Sequence, residues 1–400
     1  MKPLAIHGGK PVRENYLPYG RQSINDDDVE AVINVLKSDF LTTGPLIEQF
    51  ERAVACYVGA NYAVSFSNGT AALHAACFAA GIEADDEVIT SPLTFVASSN
   101  AALYQGAKVE FADVDLQTFN LDPQSVEKLI TDQTKAIIAV DFAGQPCDYE
   151  ALRKLANKYD LTLIEDAAHA IGAQAYGQSV GAISDMTMFS FHPVKQITTG
   201  EGGMITTNDQ QYYEKLVRFR AHGVTRDRTQ LIKDEGPWYY EMHELGYNYR
   251  LTDMQAALGL SQIKRLDQFI ERRQTIARRY NKAFQSLPTM TTPYISPEVK
   301  SSWHLYVIQL NEQQLTTDRK TVFKALQKEN IGVNVHYIPV YWQPYYEQLG
   351  YEKGLCPNAE RLYQSFITLP LFPSMTDQDV NDVILAVNKV LKYYEVGGAT

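Results

Sequence analysis

Apolar and polar positions recur along the first two-thirds of the chain in two alternating periods. Short β-type apolar runs at Tyr62–Ser67, Glu87–Thr90, Lys108–Val114, Ala136–Phe142, Leu161–Ile164, Met186–Phe191 and Met204–Thr207 are predicted strands. Stretches with helical spacing lie between several of them, at Thr70–Ala80, Phe95–Tyr104 and Asp148–Asp160, the last with Leu152, Leu155, Ala156 and Tyr159 on one face. Strands alternating with helices predict an α/β fold whose mostly parallel sheet is covered on both faces.

The pattern then changes. Thr252 and Gln255 have the spacing of a capping box, and Leu258, Ile263, Leu266 and Ile270 continue an apolar stripe, so a long helix is predicted from Thr252. Trp303–Leu310 and Gly332–Ile338 read as strands around a helix at Asp318–Gln327, and Asp377–Tyr394 reads as a final helix. The expected organisation is a large domain at 1–260 and a smaller C-terminal α+β domain at 261–400.

Composition narrows the classes. The 400 residues are 45% hydrophobic, enough to bury a large core, and 36 basic against 47 acidic residues give a formal charge of -11. That balance argues against a nucleic-acid partner. It leaves room for a local phosphate site, which is small and uses backbone N–H groups. From Ala53 to Ile82 there is no Asp, Glu, Lys or Arg, but Gly59-Ala60-Asn61 and Ser67-Asn68-Gly69-Thr70 interrupt the stretch, so it reads as a buried strand and helix rather than a membrane span. No signal peptide is expected at the N-terminus. Cys56, Cys77, Cys147 and Cys356 are scattered, so neither a metal site nor a disulfide framework is expected. A soluble cytoplasmic protein fits these features.

Ligands of α/β sheets gather where strands end and helices begin, and four segments are informative there. Ser67-Asn68-Gly69-Thr70-Ala71 joins a strand to a helix; it reads either as an ordinary cap or as an anion site, with Gly69 allowing close approach and Thr70 supplying a hydroxyl. Ile164-Glu165-Asp166-Ala167-Ala168-His169 ends an apolar strand in two carboxylates followed by small residues, which suits Asp166 either to capping a loop or to facing a protonated ring nitrogen. Ser190-Phe191-His192-Pro193-Val194-Lys195, continuing to Gly202-Gly203, places a lysine after an apolar strand; a solvated lysine is the ordinary reading, and a nucleophile or base the chemical one. Gly246-Tyr247-Asn248-Tyr249-Arg250-Leu251-Thr252 precedes the long helix; it reads either as Tyr and Asn side chains that reach a ligand or as a helix cap, with capping by Thr252 the expectation from pattern alone.

Together, in this order, the four segments resemble those of the DegT-type sugar-nucleotide aminotransferases, a group of fold-type-I pyridoxal-phosphate enzymes. The likeness extends from Leu4–Val12 and Leu41–Pro45 to Ile367–Pro373. It implies that Lys195 carries pyridoxal phosphate and moves the proton, that Asp166 partners the pyridine nitrogen, and that Gly69, Thr70 and Ser190 bind the phosphate. It further implies that Phe95 stacks on the ring, that His169 lies near the ring oxygen, and that Asn248 reaches the neighbouring subunit's cofactor in a homodimer with shared sites.

Within the family, Val140–Gly144, Ser190–Gly203 and Val335–Tyr341 resemble the members that act in pseudaminic acid biosynthesis. That likeness implies transfer from L-glutamate to C4 of a UDP-linked 4-keto-6-deoxy-N-acetyl-hexosamine, giving UDP-4-amino-4,6-dideoxy-N-acetyl-β-L-altrosamine. The competing readings are a nucleotide-sugar aminotransferase of different epimer, keto position or nucleotide, a dehydratase on the same scaffold, and a non-catalytic regulatory homologue. Dehydratase relatives lack the lysine, and a purely regulatory protein has no need of a proton-moving one.

Overall fold

A computed structural model describes residues 3–397. Seven strands form the central sheet: β1 (Tyr62–Phe66), β2 (Glu87–Thr90), β3 (Lys108–Phe111), β4 (Thr134–Val140), β5 (Thr162–Asp166), β6 (Met186–Ser190) and β7 (Gly203–Thr207). Their spatial order is β1-β7-β6-β5-β4-β2-β3, and only β7 runs against the others. Residues of β2, β4, β5, β6 and β7 are almost wholly buried, as expected of a sheet covered on both faces.

The predicted strands and helices of this part are all present, with ends shifted by a few residues. Helices α1 (Asp26–Leu36), α2 (Pro45–Val58), α3 (Gly69–Ala79), α4 (Ala97–Leu103), α5 (Pro123–Leu129), α6 (Tyr149–Tyr159) and α7 (Gln210–Phe219) accompany the sheet. Asn68 caps α3 by accepting from the Ala71 N–H, and Asp148 caps α6 in the same way at Ala151.

The long helix predicted from Thr252 is two helices, α8 (Asp253–Ile263) and α9 (Leu266–Phe284). Its start is as expected, since Thr252 and Gln255 form a reciprocal capping box. The break falls at Lys264-Arg265. There the Arg265 N–H bonds the Gln262 carbonyl in a tightened turn, and its guanidinium is anchored on buried Asp28.

A second sheet of three antiparallel strands, β8 (Met290–Thr291), β9 (Tyr306–Leu310) and β10 (Phe366–Leu369), packs with α10 (Arg319–Lys328) and α11 (Asp377–Tyr393). The segment Gly332–Ile338, predicted as a strand, forms only isolated bridges next to and within it, at Leu17–Ile331 and Asn334–Thr368. Its side chains bond to groups of other segments, His336 to the Thr368 hydroxyl and Tyr337 to the His169 ring. The second core draws Leu4 and Leu17 from the N-terminal segment, which buried Glu329 ties down through the Ala5 and Val12 N–H groups at 2.9 Å each. A division at 260/261 cuts α8 between Leu260 and Ser261. Among the described residues no helix is long and apolar enough to cross a membrane.

Candidate active site

The C-terminal ends of β1, β2, β5 and β6 open on one cavity of about 750 Å³. Its wall includes Gly69, Thr70, Phe95, Asp166, His169, Ser190 and Lys195. Seven of the eight site residues expected from sequence thus meet in one place. The eighth, Asn248, is exposed and lies outside the wall; its backbone bridges Ala221.

Parallel pairing sets Asp166 at the end of β5, beside Val140 of β4 and Met188 of β6. Its side chain is 4% exposed. Ser98 of α4 donates to Oδ2 at 2.6 Å and the Ala168 N–H to Oδ1 at 3.1 Å. Burial pushes the Asp166 carboxyl up from its ordinary value, against the pull of the Ser98 and Ala168 hydrogen bonds and of Lys195. A carboxylate in this state gains by facing a cationic N–H.

Lys195 is half-buried in the loop after β6, and no hydrogen bond or ion pair engages its amine among the described residues. Removal from water pulls its pKa down to about 8, with Asp166 opposing the shift. The amine is therefore partly neutral near physiological pH, as a nucleophile or base requires.

Opposite lies the N-terminus of α3. The first-turn N–H groups of Gly69 and Thr70 have no carbonyl one turn back to bind, and the positive end of the helix dipole favours an anion. Two glycines make the approach close. A Cβ on Gly69 would lie 3.2 Å from Met188 Sδ and 3.3 Å from Ser190 Cβ; one on Gly203 would lie 2.5 Å from the Asn68 carbonyl oxygen and 2.7 Å from the Gly69 nitrogen. Phe95 is 61% exposed although it lines the cavity, leaving a ring face open.

The cavity has one lysine amine, one buried carboxylate, a helix N-terminus with two adjoining hydroxyls, and an uncovered aromatic ring. This donor set fits pyridoxal phosphate: a carboxylate for the ring nitrogen, an anion site for the phosphate, an aromatic face for the ring and an amine for the aldehyde.

Sequence reasoning missed several wall residues. Ser98, the hydroxyl on Asp166, was one position in a short helix. Tyr19 and His304 come from distant segments, while Glu201 and Tyr249 lie within the lysine and pre-helix segments already singled out. His169 sits between the Tyr337 hydroxyl, 3.2 Å from its Nε2, and the His304 ring, 4.3 Å between centroids. Burial first, then the Lys195 charge, pulls His169 and His336 below the ordinary histidine value, His336 to about 3. The one signal available for Ser98 was the polar run Ser98-Ser99-Asn100 inside an otherwise apolar helix.

Comparison with known proteins bears on this geometry. The profile of the DegT/DnrJ/EryC1/StrS aminotransferase family matches residues 22–388. The chain is 43% identical to the spore coat polysaccharide biosynthesis protein SpsC of Bacillus subtilis, covering 95% of this chain and 98% of that protein. It is 38% identical to the UDP-4-amino-4,6-dideoxy-N-acetyl-β-L-altrosamine transaminase of Campylobacter jejuni, covering 94% and 99%. Among solved structures, Helicobacter pylori PseC, an aminotransferase involved in the biosynthesis of pseudoaminic acid, superimposes with a TM-score of 0.88 at 33% identity over 95% of this chain and 100% of that one. The PLP-form of Streptococcus pneumoniae Spr1654 gives 0.88 at 30% over 94% and 99%. Family match and fold agree along nearly the whole chain, and the protein is accordingly a member of the DegT/DnrJ/EryC1/StrS aminotransferase family, a fold-type-I enzyme that works with pyridoxal phosphate.

Proposed function

We propose that this enzyme transfers an amino group from L-glutamate to the C4 carbonyl of a UDP-linked 4-keto-6-deoxy-N-acetyl-hexosamine, giving UDP-4-amino-4,6-dideoxy-N-acetyl-β-L-altrosamine. The observation that carries the amino-transfer chemistry is the pairing of Lys195, its pKa drawn down to about 8, with buried Asp166 in one cavity. The choice of sugar draws on the likeness to the Campylobacter transaminase.

When bound, pyridoxal phosphate supplies a conjugated ring that accepts the electron pair left as the donor's Cα proton departs. Lys195 would hold the cofactor through its amine, and that amine would take the proton from the donor's Cα. Asp166, steadied by Ser98 and the Ala168 N–H, holds the ring nitrogen's proton. Gly69, Thr70 and Ser190 bind the phosphate, and Phe95 packs on the ring. His169, held by Tyr337, serves the ring oxygen as a neutral hydrogen-bonding partner. In the second half of the cycle Lys195 moves protons in the opposite sense, toward the sugar carbon, so the kinetics are ping-pong.

Asn248, exposed and away from its own chain's cavity, serves the site of a second copy in a cytoplasmic homodimer. Mixing Lys195→Ala with Asn248→Ala subunits restores activity if sites are shared, because one of the heterodimer's two sites is then intact; no recovery on verified heterodimers rejects sharing.

The substrate test supplies the C5 epimers, L-arabino and D-xylo, separately with glutamate and compares initial 2-oxoglutarate release, with the aminated sugar identified by mass spectrometry. One buried polar group left unpaired costs roughly 1–3 kcal/mol, so the L-arabino epimer is expected to react roughly 5- to 150-fold faster. Equal rates, or preference for the D-xylo epimer, reject this sugar and leave amino transfer standing. The higher identity to SpsC favours a second reading, a nucleotide-sugar aminotransferase of different epimer, keto position or nucleotide. A panel of UDP- and TDP-keto sugars separates the two.

A further inference from the structure

Arg273, in the middle of α9, is 1% exposed, and no carboxylate pairs with it among the described residues. A buried guanidinium without a counter-ion is costly unless dipoles replace the lost water. Here three carbonyls do so at one end of the group, where Nη1 donates to Trp303 at 3.2 Å, His304 at 3.1 Å and Leu371 at 2.9 Å, while Nε is buried without a partner.

Two of those carbonyls belong to the irregular segment Ser301–His304, which bends at His304. Trp303 has φ +52°, a left-handed conformation that a bulky side chain rarely adopts and that persists only where its surroundings impose it. The segment is pinned from both sides. The Trp303 N–H bonds Ser301 Oγ at 3.0 Å, and the Ser301 hydroxyl donates to the Gly144 carbonyl at 2.9 Å. The Ser302 hydroxyl donates to the His169 carbonyl at 2.9 Å and accepts from Gln196, the residue after Lys195, at 2.9 Å. Gln196 also donates to the His169 carbonyl.

The segment delivers the His304 ring onto the His169 ring at 4.3 Å, with both in the wall that carries Lys195. Nδ1 of each ring is buried without a partner. Tyr337 holds the His169 ring through Nε2, whereas no side-chain hydrogen bond engages the His304 ring among the described residues, so its placement comes from the backbone.

We propose that Arg273 is a positioning residue for amino transfer: by holding the Trp303 and His304 carbonyls it keeps the His304 ring against His169 beside Lys195. This rests on the aminotransferase reading. Groups facing the two rings are Tyr337 on His169, and Lys195, His336 and Arg273 itself near His304. The cationic ones, with burial acting first, hold both imidazoles neutral.

The test uses holoenzyme with ¹³C-labelled histidine, the two resonances being assigned through His169→Gln and His304→Gln. Arg273→Lys keeps a cation with shorter reach, and Ser302→Ala cuts the bond between the segment and the His169 carbonyl without touching Arg273. Arg273→Lys is expected to shift the His169 and His304 resonances and to lower kcat per bound cofactor by about tenfold or more, with the glutamate KM changed by less than about twofold. Ser302→Ala is expected to act in the same direction with smaller effect. Folded Arg273→Lys protein with unchanged resonances and unchanged kcat overturns the proposal. Should Arg273→Lys not fold, Ser302→Ala decides, and resonances and kcat both at wild-type values overturn it. Wild-type enzyme that releases no 2-oxoglutarate from glutamate would reject the amino-transfer reading instead, while the resonances still report on Arg273.

Discussion

Lys195 should react with the cofactor aldehyde at a pH where an ordinary lysine is inert. Burial draws its pKa to about 8, against roughly 10.4 for an exposed lysine. At pH 7.5 about a quarter of the amine is then neutral, compared with about one part in a thousand for an ordinary lysine, an advantage on the order of 200-fold in nucleophile concentration. The sign follows from the cause: desolvation disfavours the ammonium, so the neutral fraction rises through pH 8. Asp166 works against this by favouring the ammonium. Asp166→Asn removes that opposition, and the midpoint should move to lower pH. The assay strips the enzyme of cofactor, adds pyridoxal phosphate and follows the second-order rate of visible absorbance growth from neutral to alkaline pH. The expected wild-type midpoint is near 8. A midpoint near the ordinary lysine value, or one that Asp166→Asn leaves in place, refutes the reasoning.

Asp166→Asn should still bind cofactor but slow removal of the donor's Cα proton by roughly tenfold or more, read as the single-turnover rate with glutamate; an unchanged rate makes Asp166 a loop residue. Gly203→Ala puts a methyl 2.5 Å from the Asn68 carbonyl oxygen, so the start of α3 must shift. About 1–3 kcal/mol of stability and part of the cofactor affinity should be lost, measured by thermal unfolding and cofactor titration; wild-type values for both contradict the close approach. Behind Asp166, the buried carboxyls of Asp141 and Glu165 are both pushed up, chiefly by burial. A raised folded value means stabilisation that is full below the unfolded carboxylate value near 4 and fades as pH rises through the folded one. Relative to wild type, the Tm of Glu165→Gln should therefore improve as pH rises above the unfolded carboxylate value; a difference independent of pH rejects the raised pair.

The sheet and its loops were legible because periodicity and chain order determine them. Seven apolar runs became seven strands, and the strand-end position of Asp166 followed from where the β5 run stops. Elements set by tertiary partners were not legible. The break at Lys264-Arg265 depends on Asp28, more than two hundred residues earlier, and no local signal marks it. Gly332–Ile338 has the pattern of a strand, but His336 and Tyr337 are claimed by Thr368 and His169. Within the site, single residues embedded in motifs were found. Ser98, His304 and Tyr19 were missed because each reaches the cavity from a segment with no chemical pattern of its own. Arg273 shows the limit most clearly: in sequence it is one of several arginines in a charged helix, and only the fold turns it inward onto three carbonyls.

The measurement that bears most directly on the central claim is reductive trapping of the cofactor. Holoenzyme treated with borohydride and digested should carry a single pyridoxyl modification, on Lys195, and Lys195→Ala should carry none and fail to release 2-oxoglutarate from glutamate while remaining folded. A modification on another lysine, or turnover that survives in Lys195→Ala, would contradict the account.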